Sequence, residues 1–182
     1  MRGYVQKRLS PEPLNSYSPV IQWDTVRLML ILQFILDLQS QSIDFTNTFT
    51  QEDIPSGDPV FIELPQYFNS DGGKCDVVII LKKILYGQSK AARLLYEKLR
   101  NGLLNSGFVM IKVDPCMFIY NTVICVVYVD ECLFWASSQS DIDNGMKYFK
   151  EDDPSYNRGH SNGESVSEFL EIDVNTLDDG VF

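Results

Sequence analysis

Two apolar segments separated by a pair of acidic residues constrain the fold of this 182-residue chain more than any other feature. Residues 123–129 and 132–136 are both composed largely of residue types that favour strands. The polar pair Asp130-Glu131 lies between them, and a short polar break between two such segments predicts a β-hairpin. We therefore expect an antiparallel hairpin whose turn carries Tyr128-Val129-Asp130-Glu131.

Adjacent carboxylates beside an apolar core repel each other, and their burial costs free energy unless a cation compensates the charge. Mg²⁺ binds carboxylate oxygens and keeps waters that substrate phosphates can replace. Asp44 lies near the end of a candidate strand at 42–46, and it would approach Asp130 and Glu131 if that strand joined the hairpin in an antiparallel sheet. Three such acids fit two-metal phosphoryl transfer. The spacing alone also fits an ordinary polar hairpin tip.

Composition and charge narrow the class of protein. A hydrophobic share of 45%, with 11 Phe and 9 Tyr, excludes a disordered chain because there is enough apolar surface to offset the entropy of ordering. The formal net charge of −10 opposes nucleic-acid binding. Residues 151–182, however, hold nine of the acids and one arginine, so most of the net negative charge lies in this last segment. A basic stretch surrounds Tyr86-Gly87, and it is either a polyanion-binding surface or a solvated helix face. Its basic residues are Lys74, Lys82, Lys83, Lys90, Arg93, Lys98 and Arg100.

Spacing argues against several other kinds of site. The four cysteines form no Cys-x-x-Cys pair and the chain has one histidine, so a zinc site lacks ligands and reduced, buried thiols are expected. If an EF-hand loop began at Asp141, its glycine and its final acid would each stand one position too early in this sequence. Gly72-Gly73-Lys74 lacks the spacing of a phosphate-binding loop.

With no leader and no uninterrupted apolar run that could span a membrane, we expect an intracellular setting, either a cytoplasmic particle or the nucleus.

Periodicity and turn residues predict a single α+β domain. The helix-capping residues are expected to be Asp24, Ser89 and either Ser138 or Ser140. The first helix is apolar almost all round, which predicts burial on most of its sides. Besides the hairpin, the predicted elements are helices over about 25–40, 90–105 and 141–150, short strands at 60–64, 77–81 and 165–174, and a turn at 178–180 before a last strand.

An ordered series of motifs resembles that of one known family, the reverse transcriptase of copia-type LTR retrotransposons, which is part of a Pol polyprotein. Any one motif is weakly specific, whereas the order of the whole series is specific. The motifs are Gly3-Tyr4-Val5-Gln6-Lys7, Tyr17-Ser18-Pro19-Val20, Thr25-Val26-Arg27, Asp44 with Phe49, Ile62-Glu63-Leu64-Pro65, Leu81-Lys82-Lys83-Ile84-Leu85-Tyr86-Gly87, Asp114-Pro115-Cys116-Met117-Phe118, Tyr128-Val129-Asp130-Glu131 and Phe169-Leu170.

This resemblance implies a polymerase palm with partial fingers, in which an antiparallel sheet packs on helices. Residues 1–182 would form that fragment, truncated at both ends. The implied activity is RNA-directed DNA polymerisation, with Asp44, Asp130 and Glu131 as the catalytic residues that hold Mg²⁺ or Mn²⁺.

The resemblance also implies a nucleotide-binding set consisting of Phe49, Gly87, Arg93 and Tyr128. Phe49 matches the aromatic residue that excludes a ribose 2′-hydroxyl, so deoxynucleotides would be preferred. The implied partners are an RNA or DNA template-primer and deoxynucleoside triphosphates, and no membrane.

Departures from the family pattern lead us to expect impaired or absent activity. After Tyr86-Gly87 only Ala91 and Arg93 of the next family motif remain, and Glu131 stands where the family has aspartate. The extra methylene of glutamate matters because octahedral Mg²⁺ tolerates little misplacement of its ligands. The alternative function is that of a catalytically dead acidic domain, acting only as a folded or protein-binding module.

Overall fold

The structure of the protein, a computed structural model, describes residues 16–44, 53–54, 57, 59–63 and 78–147 and four two-residue strands between positions 168 and 181. This part of the chain contains three α-helices and eleven strands, so the predicted α+β class is confirmed. In chain order the elements are α1 (Trp23–Ile35), β1 (Gln39–Asp44), β2 (Val60–Glu63), β3 (Val78–Leu81), α2 (Ala91–Asn105), β4 (Val109–Met110), β5 (Met117–Tyr120), β6 (Val123–Tyr128), β7 (Glu131–Ala136), α3 (Gln139–Gly145), β8 (Glu168–Phe169), β9 (Ile172–Asp173), β10 (Thr176–Leu177) and β11 (Gly180–Val181).

The central sheet is antiparallel and has five strands in the order β1-β7-β6-β5-β4. The predicted hairpin is confirmed, but its turn lies one residue earlier than expected. Tyr128 is paired directly with Glu131, so the two-residue loop consists of Val129 and Asp130. Because two residues are enough to reverse an antiparallel pair, Glu131 belongs to strand β7 and not to the turn.

Helices pack on both faces of this sheet. Successive strand residues point to opposite faces, so alternate residues of β6 and β7 contribute to two separate cores. Burial on both faces explains why β7 is almost continuously apolar. The core shared with α2 and α3 includes Leu95, Leu99, Phe118, Cys125, Phe134 and Ile142, and the core shared with α1 includes Val26, Met29, Val126, Leu133 and Trp135.

Helix α1 is much less buried than its sequence predicts. Val26 and Met29 are buried, whereas Leu28, Ile31 and Ile35 are each at least half exposed. The prediction of burial on most sides is therefore wrong, because a helix lying on one face of a sheet buries only the stripe that touches it. No described helix is long and apolar enough to cross a membrane.

The ends of the other two helices test the predicted caps. Helix α2 confirms the helix predicted over 90–105, but its N-cap residue is Lys90 and not Ser89. Gly107, with φ of 89°, supports the predicted stop, because glycine adopts left-handed backbone without strain. Helix α3 is capped by Ser138, whose Oγ accepts a hydrogen bond from the backbone nitrogen of Asp141 at 3.2 Å.

The remaining described strands form three separate antiparallel pairs, β2 with β3, β8 with β9 and β10 with β11. The first pair confirms the strands predicted near 60–64 and 77–81. The single strand predicted over 165–174 is wrong, because β8 pairs back on β9 and the chain reverses between them. Strand-forming composition alone does not reveal such a reversal.

Candidate active site

The predicted acidic site lies at one end of the central sheet, where three residues on the neighbouring strands β1, β7 and β6 are paired side by side. In the β1–β7 ladder Asp44 is paired with Glu131, and in the β6–β7 ladder Glu131 is paired with Tyr128. Strand β1 thus joins the hairpin in the antiparallel arrangement that the sequence required for Asp44 to approach. The backbones of Asp44 and Glu131 are direct neighbours as a result.

The turn between β6 and β7 depends on a backbone conformation that side chains rarely adopt. Val129 has a φ of 51°, in the left-handed region, where a β-branched residue is strained. A two-residue hairpin loop of the favoured types needs a positive φ at its first position, so the tight turn imposes this strain. The result is that Asp130 is held at the tip of the hairpin, immediately before Glu131.

The loop between β3 and α2 approaches this turn. Tyr86 is 54% exposed, yet its hydroxyl lies 3.5 Å from Oδ2 of Asp130, a residue 44 positions away in the sequence. Gly87 follows with φ of 85°, a conformation that glycine adopts without strain. The sequence singled out this segment as part of a family motif, but it did not predict a contact between Tyr86 and the acidic turn.

The other predicted nucleotide-binding residues differ in what the structure shows. Phe49 lies outside the described residues. Arg93 lies in the first turn of α2, where its Nε donates to Oε1 of Glu97 at 2.7 Å. Within the predicted basic stretch, Lys83 also forms an ion pair, with Asp53 at 2.8 Å.

The donor chemistry of this end of the sheet fits a hard divalent cation. Asp130 and Glu131 offer carboxylate oxygens, the ligand type that Mg²⁺ and Mn²⁺ prefer, and Mg²⁺ sites commonly take further oxygens from water and substrate phosphates. Among the described residues, no group of three His, Cys, Asp or Glu side chains is close enough to hold a metal ion by itself. A cation bound here would therefore need further oxygen ligands besides the His, Cys, Asp and Glu side chains of the described residues.

A buried acid that the sequence did not single out as functional connects α1 to the sheet. Asp114 is 1% exposed, and its carboxylate accepts hydrogen bonds from the backbone nitrogens of Gln22 and Cys116 and from the hydroxyl of Thr25. The predicted cap Asp24 is wrong, since the N-cap residue is Gln22 and the acceptor comes from the β4–β5 connection. An acid before Pro115 is a recognisable turn signal, but its partners about 90 residues away are not.

The described cysteines behave as inert core residues. Cys116, Cys125 and Cys132 are free and buried, as predicted, while Cys75 lies outside the described residues. Burial, with a smaller contribution in the same direction from the nearby Asp114 carboxylate, raises the pKa of the Cys116 thiol to about 12. Burial likewise holds the pKa of Cys125 well above its usual value of 9.0. Both thiols therefore stay protonated at neutral pH.

Comparison with known proteins identifies the family. A family model described as reverse transcriptase (RNA-dependent DNA polymerase) matches residues 1–181. The chain therefore belongs to the reverse transcriptase family.

The relatives place the chain more narrowly. It is 30% identical over 138 residues, 73% of this chain, to the retrovirus-related Pol polyprotein from transposon TNT 1-94 of Nicotiana tabacum. It is 30% identical over 149 residues, 80% of this chain, to that from transposon RE1 of Arabidopsis thaliana, and 31% identical over 136 residues, 72% of this chain, to that from RE2 of the same plant. The matches cover only 9–10% of each relative. These matches confirm the resemblance to a retrotransposon reverse transcriptase that the motifs of the sequence indicate.

Proposed function

We propose that residues 1–182 form the palm and part of the fingers of a copia-type reverse transcriptase and carry out RNA-directed DNA synthesis. The observation that carries this proposal is the pairing of Asp44 with Glu131 next to the Asp130 turn. Directly paired residues of an antiparallel ladder have Cβ atoms about 4.5–5.5 Å apart. This register therefore suits a site in which acids from two strands share a pair of metal ions.

In this proposal Asp44, Asp130 and Glu131 hold two Mg²⁺ or Mn²⁺ ions. The ions would stabilise the negative charge that develops on the attacking and leaving oxygens during nucleotidyl transfer. The chain contributes by fixing its carboxylates on adjacent, hydrogen-bonded strands, so that little reorganisation is needed when primer and nucleotide bind. The tight turn at Val129 serves the same purpose, because it limits the movement of Asp130.

Four residues are proposed to bind the incoming deoxynucleotide. Tyr128 is paired with Glu131, and Gly87 follows the tyrosine that contacts the acidic turn, so both lie near the proposed metal site. Arg93 would supply a positive charge at the start of α2, and Phe49 would exclude a 2′-hydroxyl. The template-primer, of RNA or DNA, is the proposed macromolecular partner.

We further propose that Glu131 makes the activity weak. Glutamate keeps the charge of the family's aspartate but carries its carboxylate one methylene farther from the backbone. Misplacing a reacting group by about 1 Å can cost two orders of magnitude in rate. A slow polymerase is therefore expected in place of a fast one.

Primer extension on an RNA template tests the proposal. With Mn²⁺ or Mg²⁺ present, the full chain should incorporate deoxynucleotides slowly, and Glu131→Asp should raise the rate. Asp44→Asn and Asp130→Asn should each abolish incorporation. Asp37→Asn is the matched control, since Asp37 is exposed and precedes β1 at the end opposite to Asp44. Incorporation that survives both site substitutions would remove the two-metal assignment.

The alternative, a catalytically dead acidic domain, is favoured by the same Glu131 substitution. It predicts no incorporation by the natural chain or by Glu131→Asp. It also predicts that Mn²⁺ leaves the melting temperature unchanged, whereas a cation bound by the folded state alone must raise it. A melting scan with and without Mn²⁺ therefore separates the two functions even where incorporation is too slow to measure.

A further inference from the structure

Helix α1 presents an apolar stripe to solvent. Four of its large apolar residues are between 47% and 66% exposed, and they recur three or four positions apart on one side of the helix. We call them the outer stripe, and they are Leu28, Ile31, Phe34 and Ile35. Strand β11 also approaches α1, yet the outer stripe keeps this exposure. The solvent side of a helix that packs on a sheet is normally polar, so the outer stripe indicates an interaction surface.

The size of the outer stripe matches a small protein interface. Half exposure leaves about 90 Å² on each large apolar residue, and therefore roughly 350 Å² on the four together. Apolar atoms make up about 65% of the interfaces of homodimers, so this area corresponds to roughly 550 Å² per copy. Two such surfaces bury roughly 1,100 Å² in total, which is enough for a weak dimer.

Opposite charges lie at the two ends of the outer stripe. Arg27 precedes it, and the exposed Asp37 follows it. Positions 27 and 37 are symmetric about position 32, within one residue of the middle of the stripe. Nη1 of Arg27 lies 3.7 Å from Oδ1 of Asp24, but both side chains are largely exposed. The guanidinium has five N–H donors, so Arg27 can bind a second carboxylate beside this one.

A membrane surface fits the outer stripe less well than a protein does. Helices that bind membrane surfaces carry several Lys and Arg residues on their polar face. Helix α1 has one cationic residue, Arg27, and the chain has a formal net charge of −10. Anionic lipids would therefore repel the protein.

We propose that the outer stripe is an interface between two copies of this chain, related by a two-fold axis that passes near Ile31. A two-fold interface uses the same surface of both copies, so each contact occurs twice. With the two helices antiparallel, Arg27 of each copy meets the partner's Asp37, whereas parallel helices would bring like charges together. The antiparallel arrangement is also favoured by the helix dipoles. This inference does not depend on the proposed catalytic function.

Sedimentation velocity of the full chain tests the proposal. The natural chain should change from monomer to dimer as its concentration rises from about 5 to about 500 μM, the range expected for a small interface. Ile31→Glu brings two carboxylates together near the two-fold axis and should raise the dissociation constant of the dimer at least about 30-fold. The matched control is Ile80→Glu, because Ile80 is 57% exposed but lies in strand β3. It should leave the dissociation constant unchanged.

A charge exchange tests the antiparallel arrangement. Arg27→Glu removes two contacts with Asp37 from each dimer and should raise the dissociation constant about fivefold. Combining Arg27→Glu with Asp37→Lys restores opposite charges and should recover the affinity of the natural chain. A double variant that binds no more tightly than Arg27→Glu would overturn this arrangement of the helices.

Two further outcomes would overturn the interface itself. One is a natural chain that stays monomeric over the whole range, and its flotation with vesicles of phosphatidylcholine and phosphatidylserine would then assign the outer stripe to a membrane. The other is equal weakening by Ile31→Glu and Ile80→Glu, which would show non-specific apolar association. Circular dichroism of each variant shows that the comparison is made between folded chains.

Discussion

Oδ2 of Asp114 accepts a hydrogen bond from Oγ1 of Thr25 at 2.7 Å, which joins the first turn of α1 to the β4–β5 connection 89 positions later. The same oxygen accepts from the backbone nitrogen of Gln22 at 3.0 Å. These contacts satisfy donors at a helix N-terminus, where backbone N–H groups have no partner within the helix. Helix α1 leads directly into β1, so this carboxylate also helps to fix the strand that ends at Asp44.

Removal of this acceptor should strongly destabilise the fold. Asp114→Ala leaves buried donors unpaired and should lower the free energy of unfolding by about 3 kcal/mol, as measured by urea denaturation. Thr25→Val removes one hydroxyl and should cost about 1 kcal/mol. Asp24→Ala, at the exposed acid that the sequence predicts as the cap, should cost much less. A loss for Asp24→Ala as large as that for Asp114→Ala would contradict the assignment.

Gln88 is a buried residue whose replacement should stabilise the protein. Its Nε2 is buried without a hydrogen-bond partner in the described part of the chain, and a buried donor left unpaired carries a desolvation penalty. Gln88→Leu should therefore raise the free energy of unfolding by about 1 kcal/mol. The control is Gln41→Leu, because the buried Gln41 accepts a hydrogen bond from Nε2 of Gln139 at 2.8 Å. Gln41→Leu should not stabilise the protein. A higher free energy of unfolding in both variants would show that the loss of side-chain polarity, and not the unpaired donor of Gln88, is responsible for the gain.

The strained turn residue Val129 offers a second stabilising substitution. Asparagine tolerates the left-handed region far better than valine does, so Val129→Asn should stabilise the fold by about 1 kcal/mol. Val109→Asn is the comparison, since Val109 is also exposed but lies in strand β4. It should lose stability, because asparagine is disfavoured in strands. Equal effects at the two positions, measured by thermal unfolding, would rule out strain as the cause.

Alkaline pH should unfold the protein through its buried thiols. The pKa of Cys116 is about 12 in the folded state, above its ordinary value of 9.0, so the folded chain keeps a proton that the unfolded chain loses. Stability is therefore full below pH 9.0 and falls as the pH rises towards 12, by up to about 1.4 kcal/mol per pH unit for one such group. Cys116→Ala should make this decline shallower in urea titrations between pH 8 and pH 11. An identical slope would mean that Cys116 does not titrate differently in the two states.

Local features of the sequence were sufficient for the elements that carry the proposed site. The β-prone segments around Asp130 predicted the hairpin, and the apolar stripe of α2 predicted a helix that the structure confirms. A strand carrying Asp44 was also predicted, over 42–46, whereas the observed strand β1 covers Gln39–Asp44. Its antiparallel pairing with the hairpin, on which the approach of Asp44 to Glu131 depends, is present in the β1–β7 ladder. These features depend on the propensity and periodicity of residues that are close in sequence, so they can be predicted without the tertiary structure.

The hairpin turn and the helix cap show where local reasoning ends. Polarity alone assigned Asp130 and Glu131 to the turn, whereas strand pairing assigns Val129 and Asp130, because hydrogen-bond register overrides the apolar character of valine. Similarly, Asp24 has the right chemistry for a cap, but the buried Asp114 takes that role.

The sequence by itself determined the family, the α+β class and the hairpin with its acidic tip. Only the tertiary structure decided that Asp44 pairs with Glu131, that Tyr86 faces Asp130 and that Asp114 anchors α1. The physical reason is that secondary structure arises from residues close in sequence, whereas these contacts join positions between 44 and 92 apart. Such contacts exist only after the sheet and its helices have packed against each other.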